Sequence, residues 1–475
     1  MENFCAYITQ RSKQSNVLFR MDDPLDESVA WSAFDQEVEA TADFLVSCHI
    51  QEKEKILCLV SCPHSWLKLF FAALKIGAVP ILVNFRDTFF LQSILAENVA
   101  FHIVMDKEMQ PGQEALFPKA IVLKEDFPLS FHKQPGYASK KDKDILCSLY
   151  TSGSTGKPKY IEKTYQNLLT ELQFLKNLLK IQEHDVVLSL VPNVHIYGLL
   201  FGLLLPTLAG SQAVYTNRLL PREVMKIAVD KKASFLIGTP IHYQVFIETH
   251  DPNRKLSSLK LAVSSGGTLA KNVAKEFFRL TGVRILEIYG STETGGIAYR
   301  FWDGSQDSPS FQLFPYIEKK IDSPSEIQEL VISSPAISPN ALRSEKGVWY
   351  DTGDFVQFDP EDGNRFKIVG RQEQIMKVGG KRISTTQLEE EIKAIRGVKD
   401  VAVIRIETSS HRESGVAFVE MEKDSPFTRS EIQKEFQKRS AHYRSVSDLC
   451  IIDKIPRNQN GKILYAQLQS IMNKQ

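Results

Sequence analysis

Tyr150-Thr151-Ser152-Gly153-Ser154-Thr155-Gly156-Lys157-Pro158-Lys159 follows directly on the apolar run Ile145-Leu146-Cys147-Ser148-Leu149. Glycines admit positive φ and let backbone N–H groups turn toward an anion. Hydroxyls and lysines add donors and positive charge, so the stretch reads as a phosphate cradle behind a strand. Composition alone would fit a polar surface loop equally well. The Gly-x4-Gly-Lys-Ser/Thr loop that opens a helix is a different object. Here Thr151 stands where its first Gly would, and Pro158 disfavours a helical Lys157.

Outward from this loop, the first half alternates apolar strand-like runs with helical ones, the pattern of α/β layers. Lys55-Ile56-Leu57-Cys58-Leu59-Val60 reads as a strand. Residues 65–76 read as a helix with Trp66, Phe70 and Leu74 on one face, closed by Gly77. Val79-Pro80-Ile81-Leu82-Val83, Lys260-Leu261-Ala262-Val263-Ser264 and Val283-Arg284-Ile285-Leu286-Glu287 continue the strand theme. The last two precede Gly-containing turns, where α/β folds place ligands. The apolar stretch from Val194 to Gly210 reads as a buried helix with its approach loop.

Beyond about residue 300 the pieces become short and β-like. Trp349 to Phe358 reads as a turn leading into a strand. The last hundred or so residues form a small αβ module. Thr386-Gln387-Leu388-Glu389 and Thr428-Arg429-Ser430-Glu431 read as capping boxes opening its helices. Gly370-Arg371-Gln372-Glu373 is polar and lacks apolar periodicity, which places the junction there. The expected fold is therefore α/β: a large multi-layer N-terminal region over 1–370 and a small αβ C-terminal domain over 371–475.

The chain has 475 residues, 43% hydrophobic and 24% charged, with net charge +1. That suits a large-cored enzyme and gives no electrostatic case for nucleic-acid binding. The N-terminus lacks the basic and apolar regions of a secretory signal, and the Val194–Gly210 stretch, broken by His195, Tyr197 and Pro206, is a poor membrane span. Six cysteines without a C-x-x-C pair argue against a disulfide scaffold or a structural zinc site, so a cytoplasmic location is expected.

Four further segments carry chemistry. They are Tyr289-Gly290-Ser291-Thr292-Glu293-Thr294, Tyr350-Asp351-Thr352-Gly353-Asp354, the run from Gly370 to Arg382, and Pro456-Arg457-Asn458-Gln459-Asn460-Gly461-Lys462-Ile463. Taken singly, each has a plain structural reading: a solvated Glu293, a β-turn at Asp351–Asp354, a hairpin turn at Gly379-Gly380, an exposed Lys462. In this order, behind the first loop, they resemble the adenylate-forming superfamily. Its members include acyl-CoA synthetases, aryl-CoA ligases, luciferases and carrier-protein ligases.

The resemblance implies ATP-dependent, AMP-forming activation of a carboxylic acid and transfer to a thiol. Thr151, Ser152, Gly153, Ser154, Thr155, Gly156 and Lys157 would grip the β- and γ-phosphates. Tyr289 would pack on adenine beside Gly290, with Gly266 and Gly267 lining adenine and pocket. Thr292 would touch the α-phosphate, and Glu293 would hold Mg²⁺, a cation served by one or two carboxylates plus phosphates. Asp354 would accept from the ribose hydroxyls, a task within a carboxylate's acceptor capacity. Arg371 would approach the ribose or phosphate, Glu373 would be the hinge of a mobile C-terminal domain, and Lys462 would bridge substrate carboxylate and α-phosphate. His195, in Val194-His195-Ile196-Tyr197-Gly198, would gate the acyl site; a satisfied core histidine is the alternative. Leu199, Leu200, Ile297 and Ala298 would wall a pocket for a fatty or aromatic acid.

Three departures point to a subgroup. Tyr160-Ile161-Glu162-Lys163-Thr164-Tyr165, the string 293–300 and 381–384 resemble ligases that load carrier proteins, such as those of aryl polyene gene clusters. The implied acceptor is then a phosphopantetheinylated acyl carrier protein. Free CoA is the alternative, and a non-catalytic nucleotide-binding relic is the rival of a different class.

Overall fold

The computed structural model describes residues 17–21, 28–84, 88–96, 101–106, 117, 119–123, 141–152, 158–215, 221–251, 254–304, 309–321, 326–342, 348–378, 381–407, 413–423, 425–440, 442–457 and 463–472. The expected α/β architecture is present, in two compact units. The first spans Met1–Ile317 with Ser333–Val348, the second Glu318–Ile332 with Trp349–Gln475. The junction expected at 370/371 falls inside the second unit, because the short strands after Ile317 are grouped with the C-terminal module.

In the first unit, one sheet runs Ile121–Val122, His102–Met105, Lys55–Leu59, Val79–Leu82, Ile145–Ser152 and Pro158–Thr164. All neighbours are parallel except the last pair. Parallel strands buried on both faces need continuous apolar runs. Ile56, Leu57, Leu59 and Ile81 meet that requirement, each fully buried. Helix Pro63–Ile76 starts with Pro at its first turn and ends at Gly77, whose φ of 76° only glycine adopts cheaply.

A second series of strands orders Phe311–Leu313, Gly295–Trp302, Ile285–Ser291, Leu261–Ser264, Phe235–Gly238, Val186–Ser189 and Gln212–Tyr215. The run from Ile285–Ser291 to Gln212–Tyr215 is parallel, whereas Gly295–Trp302 returns antiparallel beside Ile285–Ser291. The expected buried helix is Ile196–Ala209, and its middle, Leu199–Leu204, is π-helical. Such a widened turn is found mostly at functional sites. Two glycines let it approach its neighbours: a Cβ at Gly198 would lie 2.2 Å from the Pro192 carbonyl oxygen, and one at Gly202 would lie 2.9 Å from Ser189.

The second unit holds the antiparallel strands Ile327–Ser333, Tyr350–Phe358 and Arg365–Arg371. Its C-terminal module has strands in the order Val398–Glu407, Glu413–Met421 and Val446–Ile452. One core cluster gathers Leu388, Ile392, Val401 and Phe436, and another gathers Ile404, Phe418 and Leu468. Thr428 caps helix Arg429–Arg439 as expected, its hydroxyl accepting from the Glu431 N–H. The other capping box does not form. Helix Thr385–Lys393 starts behind Ser384 without a side-chain cap, so Thr386 lies inside the helix rather than at its cap, and Glu389 instead accepts the Val403 N–H at 2.8 Å.

Candidate active site

Strands Ile145–Ser152 and Pro158–Thr164 pair antiparallel, with Thr151 opposite Lys159 and Ser152 opposite Pro158. The strands flanking the cradle loop therefore pair as a hairpin, and Pro158 opens a strand rather than a helix, as its fixed φ suggests. Gly153, Ser154, Thr155, Gly156 and Lys157 lie outside the described residues, as does the side chain of Ser152.

Lys159 leaves this hairpin toward Glu293, its Nζ 2.5 Å from Oε1. Glu293 sits in the turn between strands Ile285–Ser291 and Gly295–Trp302. Burial alone would raise its pKa; bonds from Lys159, its own backbone N–H and the Ser291 hydroxyl outweigh that and hold it below the ordinary carboxylate value. It is thus ionised at neutral pH, the state a hard divalent cation requires. Among the described residues no three metal-binding side chains cluster. A single ionised carboxylate matches a Mg²⁺ site completed by phosphates and water.

The Glu293 turn is clamped from below. Its carbonyl accepts the Ser338 N–H at 2.8 Å and faces the Lys163 ammonium at 3.4 Å. Lys163 also donates to the Ala336 carbonyl at 3.2 Å. Asn167 Nδ2 donates to the Pro335 and Ile337 carbonyls at 2.7 and 2.9 Å. Burial pushes Lys163 down to about 8, against the attraction of Glu171.

A cavity of about 290 Å³ opens beside this turn. It brings together Thr151, His195, Gly266, Gly290 and Thr292 of the expected residues, with Val191, Val194, Leu200, Phe201 and Ile288 as apolar wall. Of the four proposed wall residues, Leu200 lines it. Leu199, Ile297 and Ala298 are buried elsewhere in the core, at most 1% exposed, because their positions in the helix and strand point them away. His195 precedes the helix start at Ile196, and its ring reaches the cavity. Surrounding protein lowers its pKa, which keeps the imidazole neutral at pH 7. The neighbouring Tyr197 hydroxyl is 2.7 Å from the Val263 carbonyl oxygen and anchors the helix to the sheet. Gly266 has a φ of 82°, so a side chain there is strained, by roughly 1–2 kcal/mol.

Two expected residues stand outside this cavity. Gly267 packs near Pro240. Tyr289 alternates away from Ile288 and Gly290 in the strand and contacts Phe311, ring centroids 5.8 Å apart.

Sequence reasoning did not single out Glu171. It lies on helix Tyr165–Leu179, lines the cavity and is 3% exposed. Burial pushes it up to about 7, opposed by Lys163 and by the Gly296 N–H. The available signal was its helical spacing: Glu171 falls at i+3 from Leu168 and i−4 from Leu175, inside the apolar stripe.

In the second unit, Asp354 and Arg371 face each other across two strands. Arg371 Nε is 2.8 Å from Asp354 Oδ1, and Asp354 is 5% exposed. The stretch expected as a turn is a bulge within strand Tyr350–Phe358. Glu329 pairs with Phe355 and Val331 with Asp351, so Thr352, Gly353 and Asp354 drop out of the pairing with Ile327–Ser333, while Asp354 stays in register with Arg371 on the other side. Gly353 has a φ of 72° there. Arg371 leads into a tight turn over Gln372–Gln374; the Glu373 side chain lies outside the described residues. Lys462 lies outside them too. The chain before it is fixed: Arg457 Nη2 is 2.6 Å from Asp400 Oδ2, and Ile455 N–H donates to Glu420 at 2.9 Å.

A family model described as AMP-binding enzyme matches residues 9–336, and one described as AMP-binding enzyme C-terminal domain matches 387–462. The medium-chain fatty-acid–CoA ligase of Escherichia coli (strain K12) is 24% identical over 482 residues, covering 92% of this chain and 84% of its own. The ATP-bound structure of MatB from Rhodopseudomonas palustris superposes with a TM-score of 0.83 at 19% identity, over 99% of this chain and 98% of that one. The McyG A-PCP structure complexed with phenylalanyl-adenylate has a TM-score of 0.78 at 16% identity, over 100% and 95% of the two chains. At these identities the structures report the fold.

Proposed function

The chain belongs to the AMP-binding enzyme family, and from that premise we propose an AMP-forming ligase that joins a carboxylic acid to a pantetheine thiol. One observation supports this most: the apolar cavity ends on Thr292 and Gly290, beside the Glu293–Lys159 corner, with Thr151 also in its lining. An acid in the cavity would present its carboxylate where that turn meets the α-phosphate of ATP.

In the first half-reaction a carboxylate oxygen attacks the α-phosphorus, the bond to the β-phosphate oxygen breaks, and acyl-AMP and pyrophosphate form. The cradle residues Thr151 to Lys157 hold the departing phosphates. Glu293 would hold Mg²⁺, which when bound neutralises phosphate charge. Lys462 stabilises the negative charge that grows at phosphorus, an interaction stronger in the transition state than in the ground state. Asp354 and Arg371 bind the ribose. In the second half-reaction a thiolate attacks the acyl carbonyl and AMP leaves, with residues 371–475 moving about Glu373 between steps. The apolar walls keep water from the mixed anhydride.

The acceptor we favour is a holo acyl carrier protein, from the 160–165, 293–300 and 381–384 strings; free CoA is the alternative, supported by the relatives' names. Cys48, Cys58, Cys62, Cys147 and Cys450 are free thiols, in keeping with a reducing cytoplasm. No helix among the described residues is long and apolar enough to cross a membrane.

ATP–pyrophosphate exchange with a panel of fatty and aromatic acids tests the first step, and no exchange with any acid would leave only nucleotide binding. Offering CoA and holo carrier protein side by side then decides the acceptor. Lys462→Ala should abolish exchange while transfer from preformed acyl-AMP persists; equal loss of both would remove the assigned division of labour.

A further inference from the structure

Glu171 is out of place in a hydrocarbon pocket. The walls contributed by Val191, Val194, Leu200, Phe201 and Ile288 ask for no charge. A buried carboxyl among such walls costs free energy unless it is paired. The site is nevertheless built around it. Its Oε1 accepts the Gly296 N–H at 2.9 Å, across 125 residues of chain. A Cβ on Gly295 would stand 2.6 Å from its Oε2, and one on Gly296 would stand 2.7 Å from its Oε1. Two consecutive glycines therefore leave room that Glu171 fills, together with the Phe314 ring, which a Cβ on Gly296 would meet at 2.4 Å. Real Cβ atoms do not approach so closely, so Glu171 and the Gly295-Gly296 pair are one unit.

A purely structural role is the obvious competitor. Lys163 is a buried cation whose field reaches Glu171. Yet Lys163 already donates to the Glu293 and Ala336 carbonyls, and Glu171 takes its own bond from Gly296. Neither arrangement requires the carboxyl to line the cavity, and it does.

We propose that Glu171 selects the acid: the cavity takes a carboxylic acid whose acyl part bears a hydrogen-bond donor, a hydroxyl or an amino group, in preference to the plain hydrocarbon acid of the same size. Resting on the ligase reading above, this names its substrate class. A carboxylate only accepts hydrogen bonds, so a donor on the substrate satisfies it where a CH group leaves it unpaired. Sites built to bond a substrate hydroxyl reject the analogue lacking it far more strongly than apolar pockets reject an extra group.

The test is ATP–pyrophosphate exchange at pH 8 with matched acids: benzoate against 4-hydroxybenzoate and 4-aminobenzoate, and hexanoate against 6-hydroxyhexanoate. The wild-type chain should favour a donor-bearing member over its plain partner by about tenfold or more in kcat/KM. Glu171→Leu should invert that preference, mostly through KM, with the donor-bearing acid losing exchange by a much larger factor than its plain partner. Glu171→Gln, which retains the shape, should narrow it several-fold. Equal or better exchange with every plain acid in the wild type would overturn the proposal and leave the ligase reading intact. So would a Glu171→Leu chain that loses both members of a pair by one factor. Absence of exchange with all acids would sink the ligase reading itself, and this inference with it.

Discussion

Two carboxyl groups flank one turn, and their surroundings push their pKa values in opposite directions. Glu293 and Glu171 both meet the hairpin Ile285–Trp302, one at its turn and one at the start of its return strand. Glu293 has Lys159 at 2.5 Å and is held ionised. Glu171 has one backbone N–H and the attraction of Lys163, and burial dominates, pushing it up to about 7. The difference is one of partners. On the proposed reading, the carboxylate with a close cation serves nucleotide and metal whatever the acid. A carboxylate kept short of partners is left to meet the substrate.

Removing each side chain should separate the two roles. Glu293→Gln should lower exchange about 10²-fold or more for every acid alike, measured as kcat/KM across the panel. A loss confined to some acids would merge the two sites and break the comparison.

Lys159→Met acts on the same corner more gently. Lys159 lowers the Glu293 pKa, so its removal lets that pKa rise. The acid limb of the kcat/KM profile for ATP should then move to higher pH, and an unmoved limb would dissociate Lys159 from Glu293.

The smallest effect is on stability. Glu171 has a folded pKa of about 7 against an ordinary 4.5. Between those values the native chain binds more protons than the unfolded one, so stability falls as pH rises through that window. Its contribution is fully present below about 4.5 and lost above about 7. Relative to Glu171→Gln, the wild-type Tm should therefore drop by a few degrees between pH 5 and pH 8. A constant difference would show Glu171 already charged throughout.

The same contrast explains what was legible in the sequence. The Glu293 corner is spelled by contiguous strings, 150–159 and 289–294, whose residue types betray phosphate and cation chemistry. Asp354 and Arg371 each sit in a short polar motif that the sequence displays, although the bulge that interrupts the pairing of Thr352–Asp354 with Ile327–Ser333 was not legible. The cavity floor was illegible for a physical reason. Glu171 stands in Thr170-Glu171-Leu172-Gln173, ordinary helix text in which a charge reads as a solvated face. Only the fold turns it inward and sets it against Gly295 and Gly296. The box at Thr386–Glu389 failed because the helix begins ahead of it, at Thr385, which leaves Glu389 to accept the Val403 N–H. The pocket walls failed where strand and helix direction, invisible in composition, pointed Leu199, Ile297 and Ala298 into the core.

Everything above depends on the acid being activated through its own carboxylate oxygen. That can be followed directly by supplying an exchanging acid labelled with ¹⁸O in its carboxylate, together with ATP, Mg²⁺ and the preferred thiol, and weighing the products. One labelled oxygen in AMP and none in pyrophosphate is the predicted result. Unlabelled AMP, or ADP and labelled phosphate in its place, would contradict an acyl-AMP intermediate.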